Sequence, residues 1–569
     1  MYLWHWIVET FRENPSIPIF LTIAVGFWIG KFKYKTFTLG TVTSVLLVGV
    51  LVGQMDIPIS GPLKSVFFLL FLFAIGYSVG PQFFQSLKGS GIKQVIFTLI
   101  LCVLCLGVTY AAALLLHYNP GEAAGLLSGA QTISAVIGVA TDSISTFSDS
   151  PEVKKAWIDI IPVCYAVTYI FGTIGSAYIL GVIGPWMLGG LQKVKEDTKK
   201  LAQEMNRSEL SDDPAYLDAN QPISFRAYKV TADLFKTPQT VKEIEDHLKS
   251  LGRRLFVEKI RTKDGIVDPV PTQTVGIGDE IVLSGRHEYI IEDESWIGPE
   301  VDDPRLLSFP VESVPVMLTK KTGTGETVDE LMAQPYMYGI SIQKIKRGGV
   351  EIPVFAQTKL MAGDILTIEG LPQEVDLAAP KLGYVDKPTT KTDLIFVGLG
   401  IVIGSIIGAI TIHAGGVPIS LSTSGGALIA GLVMGWMRSK HPTYGMIPSS
   451  SLWLMNNLGL NMFIAVIGIS AGPTFISGIK EVGFMLFVAG VVCTSLPLFI
   501  GVWMGDKIFK FRPAINLGCN AGGRTTTAAL GAVQDSLDST IPAMGYTVTY
   551  AIGNTLLILW GVVIVLLVH

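Results

Sequence analysis

Two short polar segments, almost four hundred positions apart, share one pattern, and each interrupts an apolar stretch. The first reads GAQTISA from Gly129 and the second reads GGRTTTA from Gly522, an offset of 393 positions (522 − 129). Both continue to an Asp-Ser pair, at Asp142 and Asp535. Glycines and hydroxyl residues inside an apolar stretch indicate a broken helix whose backbone faces protein or a water-filled cavity. A matched pair of such breaks in two halves of a chain is typical of a membrane transporter's substrate site.

The composition indicates a membrane protein. Of 569 residues, 49% are hydrophobic and 15% are charged, and the mean hydropathy is +0.50, whereas about a quarter of residues are charged in an average soluble domain. A net charge of −4 gives no reason to expect a nucleic-acid partner. The five cysteines all lie in apolar segments without a histidine at metal-ligand spacing, so we expect buried thiols, no metal and no cofactor.

The apolar stretches form two groups of six on either side of a polar region, which opens with a basic run at 193–200 and ends near residue 391. The first group covers 17–30, 38–53, 63–80, 94–117, the interrupted 121–144, and 156–191. The second group covers 394–412, 421–436, 452–472, 483–504, the interrupted 514–537, and 541–568. Most stretches are long enough to cross a bilayer as helices, which takes about 20 residues. The span 17–30 is short for this purpose.

The duplication extends well beyond the two interrupted segments. The sequence GYSVGP from Gly76 matches GISAGP from Gly468, and YAVTY from Tyr165 matches YTVTY from Tyr546. Because these pairs recur in the same order with similar spacing, they indicate an internal repeat rather than a shared membrane composition.

Loop charges predict the orientation of the spans. If each interrupted segment enters and leaves on one side while the other five spans of each half cross, the basic loops 31–35, 88–93, 193–200, 438–440 and 507–512 share a side. Lys154, Lys155 and Lys480 are the main exceptions. Five crossings per half also invert the second copy. We therefore predict an α-helical polytopic membrane protein with two inverted repeats, each of five crossing helices plus a re-entrant hairpin, and a cytoplasmic polar insert.

The polar insert, about residues 224–384, is itself doubled. GDEIVLSG from Gly278 matches GDILTIEG from Gly363, and each follows a helix-like stretch and short alternating strands. The pattern predicts two small α+β modules, which resemble the TrkA-C type of regulatory domain from potassium-transport systems. The glycine-rich nucleotide-binding fingerprint is absent from the insert, so NAD is not implied. Dimerisation or scaffolding and sensing of a small ligand both remain open as the role of these modules.

The predicted boundaries are 1–200 for the first membrane half, 201–305 and 306–390 for the two modules, and 391–569 for the second half. Opposed hairpins around paired TrkA-C-like modules resemble the aspartate–alanine exchanger family over essentially the whole chain. That family includes aspartate/alanine antiporters and exporters of succinate and related dicarboxylates. The resemblance implies a dimeric secondary antiporter of a bacterial inner membrane that moves its substrate by an elevator-like mechanism.

The residues themselves also suggest how a substrate binds. Arg524 is the one cation within either hairpin core. A charge at the bilayer centre costs at least ~2.5–3.5 kcal/mol, so it normally lines a cavity or has a partner. A guanidinium holds a carboxylate through two parallel hydrogen bonds, which lysine cannot match. The alternative is that Arg524 pairs structurally with Asp535 or with a lipid phosphate.

Neutral groups of both hairpins complete the predicted site. Glycines allow close approach of the backbone to a ligand, and hydroxyl and amide groups donate hydrogen bonds to it. Serine and threonine in apolar helices also often bond to their own preceding turn, which leaves each threonine open. The candidate substrate-binding residues are Gln131, Thr132, Ser134, Gly522, Gly523, Arg524, Thr525, Thr526 and Thr527.

One cation among many neutral donors favours a small dicarboxylate, because no obvious carboxylate is present to pair with an α-ammonium group. Exchange of aspartate for alanine and a ligand-gated channel are the alternatives. Gly76–Gly80 fits the G-x-S-x-G pattern of hydrolases, but it ends a duplicated apolar helix instead of a strand, so an enzyme is not expected. Two roles remain open for Asp142 and Asp535: they couple an ion to transport, or they are solvated residues at helix ends.

Overall fold

The computed structural model describes residues 2–34, 37–38, 40–59, 61–87, 91–206, 223–250, 255–263, 265–286, 296–308, 312–319, 324–337, 339–385, 391–414, 417–440 and 445–569. Lys35 and Lys88, which contribute to the loop-charge prediction, lie outside these ranges. The chain divides into two compact units. The first comprises 1–199, 347–352 and 388–569, and the second comprises 200–346 and 353–387.

The first membrane half is helical apart from one small β-hairpin. Its elements are α1 (Tyr2–Glu13), α2 (Ser16–Gly30), β1 (Lys33–Tyr34), β2 (Phe37–Thr38), α3 (Thr41–Gly53), α4 (Gly61–Ser86), α5 (Ile92–Leu116), α6 (Pro120–Ala130), α7 (Ala135–Ser145), α8 (Pro151–Met187) and α9 (Leu191–Asn206). The interrupted segment forms the two short helices α6 and α7, as predicted. Asn119 and Glu122 start α6 with a capping box, each side chain accepting a hydrogen bond from the other's backbone N–H.

The described part of the insert contains a four-stranded sheet, a five-stranded sheet and a small two-stranded sheet of β4 and β7. Its elements are β3 (Ile223–Lys229), β4 (Gln239–Thr240), α10 (Val241–Ser250), β5 (Leu255–Thr262), β6 (Gly265–Val267), β7 (Thr274–Val275), β8 (Glu280–Arg286), β9 (Glu312–Leu318), α11 (Val328–Met332), β10 (Ser341–Arg347), β11 (Val350–Ile352), β12 (Ile365–Gly370), α12 (Pro372–Leu382) and β13 (Gly383–Val385).

The two larger sheets share the order of four strands, and β13 is an additional edge strand of the second sheet; this shared order explains the doubled sequence pattern. The first runs β3-β8-β5-β6 and the second runs β13-β9-β12-β10-β11, so β3, β8, β5 and β6 correspond to β9, β12, β10 and β11. In each sheet the Gly-Asp turn precedes the second strand of that order. Gly278 and Gly363 adopt φ values of +97° and +88°, which other residues rarely reach. The doubled α+β organisation therefore exists, whereas its relation to TrkA-C domains stays a prediction.

The second membrane half repeats the helix pattern of the first. Its elements are α13 (Leu394–Ala409), β14 (Thr411–Ala414), β15 (Val417–Ser420), α14 (Ser422–Lys440), α15 (Ser449–Lys480), α16 (Gly483–Lys507), α17 (Pro513–Gly523), α18 (Thr527–Leu537) and α19 (Pro542–Val568). Gly483, with φ +61°, separates α15 from α16. Among the described residues, α4, α5, α8, α15, α16 and α19 are long and apolar enough to span a membrane. The chain is thus a polytopic, mostly helical membrane protein.

Helices from opposite halves pack through the repeated glycines. Gly49 and Gly53 of α3 lie against the backbone of α15, and Gly431 and Gly435 of α14 lie against the backbone of α4. A Cβ at any of these positions would overlap or crowd backbone atoms of the facing helix. Gly49 and Gly53 match Gly431 and Gly435 in the repeat, and all four allow close approach of the facing helices. These contacts join the two halves and thereby bring the two interrupted segments together.

Candidate substrate site

The first helix of each interrupted segment ends in the same local structure. Gln131 and Arg524 are the C-cap residues of α6 and α17, and they occupy matched positions of the repeat (131 + 393 = 524). The next residue, Thr132 or Thr525, is left-handed, with φ +57° or +56°. Backbone hydrogen bonds run from Ile133 N to Ser128 O and from Thr526 N to Ala521 O, at 2.9 and 3.0 Å. This is the Schellman motif, formed twice.

The two matched C-cap side chains meet each other. Nε of Arg524 donates a 2.7 Å hydrogen bond to Oε1 of Gln131. Nε2 of Gln131 donates to the carbonyl of Cys493 at 3.1 Å, which fixes the orientation of the amide. Both side chains are 0% exposed. The tip joining α6 to α7, called tip 1 (residues 130–134), and the tip joining α17 to α18, called tip 2 (residues 524–526), therefore form one buried junction.

The guanidinium of Arg524 is surrounded by neutral acceptors. Nη1 donates to Ser176 Oγ at 3.1 Å and to the Thr494 carbonyl at 3.0 Å, and Nη2 donates to the Ala130 carbonyl. The Ala130 carbonyl belongs to the C-terminal end of α6, where the helix dipole favours a cation. Within the described ranges, no carboxylate forms an ion pair with Arg524. Arg524 does not form an ion pair with Asp535, whose side chain is exposed.

The threonines that follow the C-caps are strained and carry unpaired hydroxyls. A β-branched residue in the left-handed region costs roughly 1–2 kcal/mol, and glycine is usual at this position. The hydroxyl oxygens of Thr132 and Thr525 are both buried without a hydrogen-bond partner. Buried polar atoms without partners are uncommon and often mark ligand sites. The repeat therefore places the same strained threonine beside Gln131 and beside Arg524.

The other candidate residues have assigned local contacts. Ser134 Oγ and Tyr165 OH are 3.0 Å apart, and Thr526 Oγ1 accepts a 3.4 Å hydrogen bond from Ala529 N at the start of α18. Thr527 begins α18 with an exposed side chain. A Cβ at Gly522 would overlap Thr549 Oγ1, and Gly523 packs against α5 and α19. These glycines permit close packing of α17; their contact with a substrate stays a prediction.

Two partners of Arg524 are absent from the sequence prediction. Ser176 lies on α8 and Thr494 on α16, and both are fully buried. Thr494 Oγ1 also donates to the Ala130 carbonyl at 3.1 Å. No motif marks these two residues, which are single hydroxyl residues in apolar helices. The one available signal is their position on the helices that precede and follow the interrupted segments.

The matched aspartates lie in different surroundings. Asp142 on α7 lies close to Ser424 on α14 and in the electrostatic field of Lys64 on α4, which also interacts with Asp159. Lys64 and Asp159 line one cavity together with the hydroxyl residues Thr141 and Ser470. Asp142 therefore belongs to a charged cluster, whereas the matched Asp535 is exposed.

Comparison with known proteins decides the family. A family model described as a predicted permease membrane region, Asp-Al_Ex, matches residues 18–185 and 396–566, which are the two membrane halves. The chain belongs to the aspartate–alanine exchanger family. It is 42% identical over 567 residues to an uncharacterized transporter of Shewanella oneidensis, covering 99% of this chain and 100% of that one.

Other members of this permease family are similarly close. The chain is 32% identical to an uncharacterized transporter of Zymomonas mobilis over 99% of this chain and 100% of that one. It is 35% identical to one of Bordetella parapertussis over 98% of both chains. No solved structure matches the chain. The predicted family is thus confirmed, and the protein is a multi-pass membrane protein of a permease family whose matched relatives are named transporters.

Proposed function

We propose that this family member is a secondary active antiporter or exporter of small dicarboxylates such as succinate. The substrate binds between tip 1 and tip 2, and one of its carboxylates is held by Arg524. Alternating access follows from movement of the hairpins, most simply as an elevator. The protein then works as a homodimer in a bacterial inner membrane, with the insert as two cytoplasmic TrkA-C-like modules.

The observation that carries this proposal is the buried guanidinium at the junction of the repeat-related tips. Arg524 is 0% exposed and is held by neutral oxygens of Gln131, Ser176, Thr494 and Ala130. A buried charge without a counter-ion is costly, and a bound anion removes that cost. The unpaired hydroxyls of Thr132 and Thr525 supply neutral donors for the rest of the ligand.

The chemistry around Arg524 favours a dicarboxylate over an α-amino acid. An amino acid brings an ammonium group, which a site normally pairs with a carboxylate. Within the described part of the chain, the hydrogen-bond partners of Arg524 are all neutral, and the partners of Gln131 and Ser134 include no carboxylate. Aspartate:alanine exchange is the alternative, since the chain belongs to the family named for it.

Counterflow in proteoliposomes tests the proposal. Vesicles containing the purified protein are loaded with radiolabelled succinate and diluted into buffer with or without unlabelled succinate. External succinate should accelerate release of the label, and external aspartate or alanine should not. Acceleration by aspartate or alanine instead would establish the amino-acid exchanger. An electrical current without acceleration by any of these substrates would establish a channel.

A further inference from the structure

Tip 1 presents two oxygen atoms to one edge of the Arg524 guanidinium. Nε donates to Gln131 Oε1 at 2.7 Å, and Nη2 donates to the carbonyl oxygen of the preceding residue, Ala130. Nε and Nη2 are the two donors on the same edge of the group, which a carboxylate engages side-on with both of its oxygens. Two adjacent residues of tip 1 thus occupy the place of a carboxylate.

The remaining donors leave no other edge open. Both hydrogens of Nη1 are used, by Ser176 Oγ at 3.1 Å and by the Thr494 carbonyl at 3.0 Å. A guanidinium has five N–H groups, so a single Nη2 hydrogen remains. A carboxylate therefore cannot make a two-point contact with Arg524 in this conformation. Either Gln131 and Ala130 or Ser176 and Thr494 must first move away.

Of the two pairs of Arg524 partners, we expect the pair in tip 1 to move. Ser176 and Thr494 lie within the long helices α8 and α16, whereas Gln131 and Ala130 end the 11-residue helix α6. The next residue, Thr132, holds a left-handed backbone and an unpaired buried hydroxyl. The tip therefore relieves backbone strain when it leaves this conformation.

We propose that tip 1 closes the empty site by imitating the substrate, with Gln131 Oε1 and the Ala130 carbonyl taking the side-on edge of Arg524 until a carboxylate displaces them. This inference rests on the proposed function. It has a consequence for the transport cycle. Because the empty site can close without leaving Arg524 unpaired, the unloaded carrier can return, and the protein performs net export as well as exchange.

Flux measurements on Gln131→Ala test this consequence. Proteoliposomes are loaded with labelled succinate, and release is compared with external succinate (exchange) and without it (net efflux). In the variant, net efflux should fall about tenfold or more relative to exchange, since its empty site closes on an unpaired donor. Gln192→Ala, exposed on α9, should leave both fluxes unchanged. A Gln131→Ala protein in which both fluxes fall by the same factor, or neither falls, overturns the proposal.

A second variant separates imitation from a structural role. Gln131→Glu places a permanent carboxylate beside Arg524, so it should stop both fluxes while raising the thermal stability of the substrate-free protein. A variant that misfolds would instead melt at a lower temperature. If Gln131→Glu melts no higher than the wild type and still transports, Gln131 does not occupy the substrate's place.

Acetate binding gives a readout that does not need succinate transport. Acetate carries one carboxylate and should raise the melting temperature of Gln131→Ala more than that of the wild type, where tip 1 competes for Arg524. The double variant with Arg524→Lys should lose this extra shift. Equal shifts in the wild type and Gln131→Ala contradict the imitation. Failure of wild-type succinate exchange would refute the proposed function alone, and the acetate result would then decide this inference.

Discussion

At the scale of single residues, the repeat supplies two equivalent positions and the chemistry differs between them. Position 131 holds a neutral amide and position 524 a guanidinium, and the two are hydrogen-bonded to each other. Their neighbours Thr132 and Thr525 share a backbone conformation and an unpaired hydroxyl. The junction is otherwise symmetric, so the single charge on Arg524 determines the side on which the site can recognise an anion.

The shape of the Arg524 donor group should matter more than its charge. Arg524→Lys keeps the charge but loses the two-point contact, so succinate affinity should fall about 10–100-fold. Thermal-shift titration of the purified protein measures this, with size-exclusion chromatography to confirm folding. Arg12→Lys is the control, because Arg12 lies on the periphery, where its Nε donates to the Met55 carbonyl. Unchanged affinity in Arg524→Lys would remove Arg524 from the site.

Removing the unpaired Thr132 hydroxyl should raise the stability of the protein and weaken substrate binding. Thr132→Val keeps the shape and removes a buried polar atom without a partner, so the substrate-free protein should gain about 1 kcal/mol while succinate binds more weakly. Thermal unfolding with and without succinate measures both effects. Thr141→Val, which removes a hydroxyl that donates to the Ile137 carbonyl at 2.7 Å, should show no such gain. A loss of stability in Thr132→Val would contradict the assignment.

At the scale of helices, each interrupted segment is positioned by the long helix that follows it. Gly129 of α6 packs against Thr168 of α8, and Gly522 of α17 packs against Thr549 of α19. The hydroxyls of Thr168 and Thr549 each bond to a carbonyl of their own helix, at 2.7 and 2.9 Å. Because the helices touch at glycine, small changes of side-chain volume there move a whole tip.

Two glycines of the same hairpin should therefore respond oppositely to one added methyl group. In Gly522→Ala the Cβ overlaps Thr549 Oγ1 and the Tyr546 carbonyl, so overpacking should cost about 1–3 kcal/mol. Gly531→Ala on α18 meets no atom within contact distance and should stabilise the helix by up to about 1 kcal/mol. Thermal unfolding in detergent compares them. Equal melting temperatures would show that α17 is loosely packed.

At the scale of the whole molecule, the insert carries a titratable group of its own. Burial, together with the carboxylate of Glu258 on β5, raises the pKa of Glu374 on α12 to about 7. Burial also raises the pKa of Glu258, which is hydrogen-bonded to Ser284. A carboxylate on β5 and one on α12 thus interact within one compact unit, and their repulsion grows as protons are lost.

The insert should lose stability as the pH rises towards 7. Below about pH 4.5 Glu374 is protonated whether folded or unfolded, and between 4.5 and 7 only the folded form keeps its proton. The free energy of unfolding of the insert therefore decreases as the pH rises to 7 and is constant above pH 7. Glu374→Gln should remove this dependence and slow hydrogen exchange in α12 at pH 8. Asp376→Asn, exposed on the same helix, is the control, and identical exchange in both variants would contradict the coupling.

The proposed orientation places residue 200 in the cytoplasm. All five native cysteines are buried, so Lys200→Cys introduces one accessible thiol without further changes. A membrane-impermeant maleimide should label it in inverted vesicles and not in intact cells. Glu152→Cys, exposed at the start of α8, should label from the outside of intact cells. The reverse pattern would overturn the proposed orientation. Labelling of residues 152 and 200 from the same side would contradict an odd number of membrane crossings between them.

The membrane class, the family, the helix positions and the two breaks could be predicted from the amino-acid sequence alone. These features depend on local patterns: apolar runs specify helices, and glycine with hydroxyl residues specifies where they break. The predicted 121–144 and 514–537 accordingly agree with α6–α7 and α17–α18 to within a few residues.

The groups that surround Arg524, in contrast, depend on how distant helices pack and could not be predicted from the sequence. Ser176 and Thr494 lie 348 and 30 positions away from it, and no local pattern distinguishes them from other hydroxyl residues in apolar helices. The same holds for Asp142 and Asp535, which match in sequence but differ in surroundings because Lys64 lies near one of them. Contacts between distant segments follow from how whole helices pack, and packing depends on shape over the entire molecule rather than on the residues beside each other in the chain.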